Sequence, residues 1–332
     1  MKEPSLLAIV LNFRTPEMTL KAAEAAREAL EGLNAELVIV DNDSADGSFE
    51  RMSAHVTEQG WNVRVLQAGR NGGYGAGNNI GIIAGLSDGT RPEFYYILNS
   101  DAFPARDAVR LLKDYLVANP AVGFAGSFIH GPDGDAHVTA FRFPTALGEL
   151  EGAARFGPLS RLLRNHIVPL PVPDETVMVD WLAGASMMMR AETLQQIGLF
   201  DESFFLYFEE TDLCLRAARA GWATVYLRES EVAHIGSVST GMKSWPRVPG
   251  YWLDSRWHYF SKNHSRAYAC YATALHLLGG TFYKLRRLIE RKPTHATPHF
   301  LYDMFSHALR ALFVGKTSPD VPQMQAVKGE GS

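Results

Sequence analysis

Over its first 130 residues the chain alternates short apolar runs with longer amphipathic stretches. Leu6–Phe13, Glu36–Val40, Val63–Leu66, Phe94–Leu98 and Val122–Ser127 are short and mainly apolar, the composition of strands covered on both faces. Between them, Pro16–Leu30 is rich in Ala and Glu with a proline near its start, and Ser48–Gln59 and Ala105–Asn119 are amphipathic. A Gly/Asn loop near residue 70 leads into a further helix ending at about Leu86. Such alternation predicts an α/β fold, a mostly parallel sheet with helices on both faces.

The regularity fails after residue 130. Residues 130–180 are rich in Gly and Pro; "HGPDGD" reads as a hairpin or loop and "VPLPVPDE" as an extended linker. Order resumes with a strand-like Val179–Arg190, a helix Ala191–Ile197, and a helix Glu210–Ala220 stopped by Gly221. From Tyr251 onward, aromatic and basic residues predict helices packed on the main domain, and residues 316–332 predict a disordered tail.

With 332 residues, 46% of them hydrophobic, one large domain or one domain with an appendage is expected. The net charge of -4 hides an asymmetry. Residues 1–242 hold 19 Lys and Arg against 31 Asp and Glu, whereas residues 243–292 hold ten against two. The acidic part argues against nucleic acid as a partner; the basic segment is a candidate for an anionic surface. Cys214 and Cys270 form no Cys-x-x-Cys arrangement, which excludes a disulfide framework or zinc ribbon and fits a reducing, cytoplasmic compartment. The start, "MKEPSLLAIVLNF", lacks a small-residue cleavage site and reads as a strand. No stretch reaches the ~20 apolar residues of a membrane span.

Polar groups stand at three strand ends: Asn12 after the first, "DNDSADGS" after the second and "NSD" after the fourth. In one parallel sheet these converge on a single edge, where open α/β sheets bind ligands. Turn and cap chemistry accounts for Asp43, Ser44, Asp46 and Ser48, and less well for Asp41. In "AGRNGGYGAGNNIGI", Gly72, Gly73, Gly75 and Gly77 permit close approach of backbone to a ligand, and Asn78 and Asn79 add amide donors. A dinucleotide fingerprint would follow the first strand, and this one follows the third. Asp101, a carboxylate at the ligand edge, suits a divalent cation that completes its shell from phosphates and water. In "FDESFFLYFEETDLCLRAARAGW", Glu209, Glu210 and Asp212 crowd a helix start. The helix dipole explains one or two of them. Mutual repulsion and apolar surroundings would raise one toward a useful general base, for which Glu210 is the choice. His234, in "EVAHIG", is either structural or a ligand facing Asp101.

Together "VLNFRTP", "IVDNDSADGS", "RNGGYGAGNNIGI", "ILNSDA", "WLAGASMMMRAETLQQIGLFDESFFLYFEETDLCLRAARAGW" and "AHIGSVST" resemble the inverting family 2 glycosyltransferases, and among them the rhamnosyltransferase-like members, over about residues 5–240. The resemblance implies a GT-A fold over residues 1–245, with a nucleotide-binding part (about 1–128) and an acceptor-binding part (about 129–245), then a basic and aromatic helical extension (246–315). It implies a dTDP- or UDP-sugar donor, a glycan or lipid-linked acceptor, and Mg²⁺ or Mn²⁺. Asn12, Asp41, Arg70, Asn71, Gly72, Asn78 and Asn99 then fall beside the nucleotide. Asp101 matches the last acid of the Asp-x-Asp metal motif, with Asn99 in place of the first acid and His234 as second ligand. Glu210 matches the catalytic base, and Trp181, Gly184, Glu209 and Asp212 fall on the acceptor side.

The stretches "KSWPRVPGYWLDSRWHYFSKNHSR" and "YKLRRLIERK" interleave aromatic and cationic residues, as peripheral membrane elements do; a helical extension with a solvated basic face reads equally well. Two rival functions are a non-catalytic nucleotide-sugar-binding relative, favoured by Asn99, and a sugar nucleotidyltransferase. The latter would want a basic triphosphate-binding signature after the first strand, which "NFRTPEM" does not provide.

Overall fold

The computed structural model describes residues 5–236, 245–294 and 297–313; the tail at 316–332 lies outside them. The chain begins β1 (Leu6–Asn12), α1 (Pro16–Ala29), β2 (Ala35–Asp41), α2 (Ser48–Glu58), β3 (Val63–Gln67), α3 (Tyr74–Ala84), β4 (Phe94–Asn99), β5 (Ala102–Pro104), α4 (Ala108–Ala118) and β6 (Val122–His130). It continues with β7 (Ala140–Phe141), α5 (Ala146–Ala154), α6 (Gly157–Leu162), β8 (Val177–Val179), β9 (Trp181–Leu182), β10 (Ser186–Arg190), α7 (Ala191–Ile197), α8 (Glu209–Arg219) and β11 (Ala223–His234). Three helices follow: α9 (Gly250–Asn263), α10 (Arg266–Ile289) and α11 (Phe300–Phe313).

The main sheet runs β3-β2-β1-β4-β10-β6-β11-β5, with β8 also on β11. The first four strands are mutually parallel, and β6 and β11 share their direction. Strands β10, β5 and β8 run against it, which leaves the sheet mostly parallel, as expected. Alternation along β1 builds the layers. Leu6, Ala8 and Val10 pack with α1, α2 and α4, whereas Leu7 and Ile9 pack with α3, α7 and α8. Helix α3 lies especially close: a Cβ on Gly81 would stand 2.7 Å from Ile9 and one on Gly77 2.4 Å from Leu11. This α/β/α sandwich is consistent with a GT-A fold.

Three expectations are corrected. The helix expected from Ala105 starts at Ala108, because Ala102–Pro104 pair with Val232–His234 as β5. The single strand expected over 179–190 is three short ones, β8, β9 and β10. The irregular region 130–180 contains α5 and α6. Helix α5 opens on Thr145, whose hydroxyl accepts a hydrogen bond from the Gly148 amide, and Gly148 is a packing glycine: a Cβ there would stand 2.6 Å from the His166 carbonyl oxygen.

The solvated basic face expected for the extension does not apply to α9, whose cations point inward. Buried Arg256 pairs with Glu149 (2.9 Å), which His276 also contacts (2.6 Å), and Lys262 meets both Asp201 and Asp212 at 2.8 Å. Burial would raise the Glu149 carboxyl, but Arg256 and His276 hold it down at about 2. Three aromatic residues of α9 face the loop at 201–208. Tyr251 meets Phe205, Trp252 and Tyr259 flank Phe208, and the Ser255 hydroxyl donates to the Leu206 carbonyl (3.0 Å).

Candidate active site

Parallel register brings the expected strand ends level: Asn12 lies beside Asp41, and Leu11 beside Asn99. At this edge Asn12 Nδ2 donates to Asp41 Oδ1 (2.7 Å), Ser44 adds its hydroxyl (2.6 Å) and amide (3.1 Å) to the same carboxylate, and Thr19 donates to Asn12 Oδ1 (2.7 Å). Asn12 and Asp41, expected beside the nucleoside, are thus at the right edge but buried, with their polar groups engaged by one another and by Ser44 and Thr19.

The Gly/Asn loop is tied to the end of β2. Asn42 Nδ2 donates to Asn71 Oδ1 (3.0 Å) and to the Gly73 carbonyl (3.1 Å), and the Gly73 amide donates back to Asn71 Oδ1. Gly73 has φ +90°, and a Cβ there would stand 1.8 Å from the Phe205 carbonyl oxygen, so this contact excludes any side chain. A Cβ on Gly72 would collide with Ala76 at 2.6 Å. Arg70 is exposed and pairs with Glu202 (2.5 Å). Asn78 Nδ2 bonds the Tyr74 carbonyl (3.0 Å). Asn42 Oδ1 and Asn78 Oδ1 are buried acceptors without a donor among the described residues.

Asp101 and His234 meet because β5 pairs with the end of β11. His234 is level with Ala102, its Nε2 stands 3.0 Å from Asp101 Oδ1, and the Ile235 amide donates to the Asp101 carbonyl (3.1 Å). Asn99 Nδ2 lies 3.5 Å from the same imidazole nitrogen. Among the described residues, no group of three or more His, Cys, Asp or Glu side chains gathers as metal ligands.

The expected base stands across a short bridge. Glu210 Oε1 accepts from the Gly184 amide (3.1 Å), the Tyr74 hydroxyl donates to the Gly184 carbonyl (2.6 Å), and the Asn99 amide donates to the Ala185 carbonyl (3.0 Å). Residues 184–185 therefore hold Asn99 on one side and Glu210 on the other. The Tyr74 phenol is pushed well above its usual range by burial and then by Glu210, Glu209 and Asp101, so both acidic centres act on one ring. Gly184 is the residue that fits: a Cβ would lie 2.5 Å from Glu210 Oε1 and 2.6 Å from the Tyr74 hydroxyl. Burial raises the Glu210 carboxyl, with the Gly184 amide holding it back. Tyr74 was not singled out from the sequence; an aromatic inside a Gly/Asn run is the signal that marks it.

Helix α8 begins at Glu209, directly after Tyr207 and Phe208, both at φ +71°. Glu209, expected on the acceptor side, is buried, and its Oε2 has no hydrogen-bond partner among the described residues. Burial and then Glu210 push its carboxyl well up. The neutral form is therefore favoured by folding, and stability is lost as pH rises through the raised value. Glu209→Gln should match the wild-type melting temperature near pH 4 and exceed it at pH 8. Equal melting temperatures throughout that range would contradict the assignment.

The acceptor contact expected of Asp212 is corrected. Two residues on from Glu210 is about 200° around a helix, and Asp212 faces α9. It is fully buried, accepting from Arg216 (2.8 Å), Lys262 (2.8 Å) and Asn263 (2.9 Å). Trp181, in β9, stacks on Phe141 (4.2 Å) and donates to the Arg142 carbonyl (2.9 Å).

Residues 8–176 match the sequence profile of Glycosyl transferase family 2. The chain belongs to that family. It is 30% identical over 215 residues, 62% of this chain and 68% of the relative, to an N-acetylglucosaminyl-diphospho-decaprenol L-rhamnosyltransferase of Mycobacterium tuberculosis. To the low-salt glycan biosynthesis hexosyltransferase Agl10 of Haloferax volcanii it is 29% identical over 195 residues, 56% of this chain and 54% of the relative. A 67-residue stretch, 19% of this chain and 25% of the relative, is 34% identical to the rhamnosyltransferase WbbL of Escherichia coli. This family 2 glycosyltransferase is thus an enzyme of the rhamnosyltransferase-like type. The profile match ends before Gly184, Glu210 and His234, so their assignment stands on the geometry of the glycosyltransferase itself.

Proposed function

We propose that the protein transfers a sugar, with L-rhamnose the leading candidate, from a dTDP- or UDP-linked donor to a hydroxyl of a glycan or lipid-linked acceptor, inverting the anomeric centre. The observation that supports this reading is the bridge at residues 184–185, where the Gly184 amide holds Glu210 and the Ala185 carbonyl holds the backbone amide of Asn99, two residues from Asp101. The sugar and acceptor classes rest on the names of the relatives from Mycobacterium and Haloferax.

Glu210 takes the proton of the acceptor hydroxyl as that oxygen attacks the anomeric carbon, and the Gly184 amide fixes the orientation of the receiving carboxylate. A single displacement from the face opposite the leaving group inverts configuration and needs no covalent intermediate, as in inverting hydrolases where water takes the acceptor's place. The carboxylate, imidazole and amide of Asp101, His234 and Asn99 suit a hard cation that keeps most of its shell on phosphate and water, and these three residues would hold it. Mg²⁺ or Mn²⁺, when bound, offsets charge on the departing diphosphate.

Incubation with a panel of nucleotide sugars, with proton NMR of any product, tests donor and stereochemistry together; a product of retained configuration would refute the mechanism. Asp101→Asn should weaken donor binding measured by calorimetry in the presence of Mn²⁺, by roughly tenfold to a hundredfold, the scale of lost metal-ligand orientation. Binding insensitive both to Mn²⁺ and to this substitution would remove Asp101 from the donor site.

A further inference from the structure

The side of α10 that faces away from its neighbours carries Tyr271, Leu278, Phe282, Leu285 and Ile289 at steps of seven, four, three and four residues. That spacing makes one stripe along a helix, and its members are exposed, Leu278 to 61% and Ile289 to 82%. Leu278 and Phe282 also form one wall of an apolar groove of about 510 Å³. The other walls are Leu150 and Ala154 of α5, with Phe156, Leu159 and Leu162 on and before α6, and Leu162 is 79% exposed. Groove and stripe are therefore one continuous apolar surface.

Its rim is cationic. Arg155, Arg161 and Arg164 stand on the α6 side and Lys284, Arg286 and Arg287 on the α10 side. The Arg286 guanidinium lies over Phe156 (5.3 Å) and Phe282 (5.9 Å) and donates to the Arg155 carbonyl (2.7 Å), tying the two walls together. Residues 152–173 and 255–289, which supply all of these walls but Leu150, contain no Asp or Glu; the acids at their edges are engaged, Glu151 by the Ser160 hydroxyl (2.6 Å) and Glu290 by Arg286 (3.6 Å) and Arg287 (3.7 Å). Exposed aliphatic groups inside a basic rim are the chemistry of a protein face that enters the headgroup layer of an anionic bilayer. Among the described residues no helix is long and apolar enough to cross a membrane.

We infer that the α5–α6–α10 face is a docking surface for an anionic phospholipid bilayer, with Leu162, Leu278, Phe282 and Leu285 entering the interface and Arg161 and Arg164 of the rim on lipid phosphates. The surface is distinct from the basic α9 segment, whose charges are spent on internal pairs. Vesicle binding needs neither donor nor acceptor, so its failure leaves the transferase reading untouched.

The test is co-flotation of the full chain with vesicles of equal parts phosphatidylglycerol and phosphatidylcholine, and with phosphatidylcholine alone. Binding is expected to the first and to be much weaker for the second. Arg161→Ala and Arg164→Ala should each weaken it about fivefold, the share of one surface cation, and Leu278→Glu with Phe282→Glu should abolish it; unchanged melting temperatures establish that the variants fold. No flotation of the wild type would overturn the proposal, as would equal binding to both vesicles. A third overturning result is a dimer by light scattering that Leu278→Glu converts to monomer without vesicle binding at any stage, because the face would then serve a second copy of the chain.

Discussion

Glu210→Gln should lower the rate of transfer by roughly 10²–10⁴-fold, the usual share of a positioned general base, while leaving donor affinity unchanged. The substitution is nearly isosteric: the glutamine carbonyl can still accept from the Gly184 amide, which now meets Glu210 Oε1 at 3.1 Å. Only the capacity to take a proton is removed. The pH profile gives a second readout. Burial raises the Glu210 carboxyl above the usual carboxylate range, and a base must be ionised to work. Wild-type kcat/KM should therefore fall on the acid side at a pH above that of an ordinary glutamate, and the residual activity of the variant should lose that limb. Full turnover in Glu210→Gln, or an acid limb that survives it, would place the base elsewhere.

Asp212→Ala should cost about 3–5 kcal/mol of stability, the price of breaking a buried ion pair from one side. Arg216 Nε and Lys262 Nζ both rest on Asp212 Oδ2, and Asn263 binds Oδ1. Removing the carboxylate leaves Arg216 with backbone carbonyls at residues 197 and 199. Lys262 keeps Asp201, so the loss belongs toward the lower end of that range. Burial works against the Asp212 charge, but Arg216, Lys262 and Asn263 outweigh it and hold the carboxyl below its usual value. Its contribution is present above the unfolded pKa of about 3.9 and disappears as pH falls through the lower folded value. Urea midpoints of wild type and variant should thus converge on acidification. A midpoint unchanged at neutral pH would show that the network contributes nothing net.

The sheet was legible because β1, β2 and β4 are apolar runs buried on both sides, and such runs permit no other placement once helices alternate with them. That logic also put Asn12, Asp41 and Asn99 on one edge. The pairing of Asp101 with His234 needed more than local sequence, because the short β5 strand that sets it acquires its conformation only from β11. Helices α5 and α6 were hidden by Pro144, Gly148 and Pro158, which read as loop punctuation; Pro144 precedes the cap of α5, Gly148 is a packing contact and Pro158 lies in the first turn of α6. Asp212 shows the limit of reading an acidic cluster as one site. Neighbours in sequence on a helix point in different directions, and only the partner helix, some fifty residues later, reveals which carboxylate is structural.

Tyr207 and Phe208 are consecutive non-glycine residues at φ +71°, each in a conformation that costs of order 1 kcal/mol or more when nothing enforces it. What enforces it comes from α9, through Ser255 on the Leu206 carbonyl and the rings of Tyr251, Trp252 and Tyr259. The turn that leads into Glu210, the proposed proton acceptor, is thus packed against a helix outside the sheet. Loss of the residues from Gly250 onward is therefore expected to release residues 206–208, and with them the first turn of α8 that sets Glu210 on the Gly184 amide, so a graft of the sheet alone would leave that carboxylate unplaced.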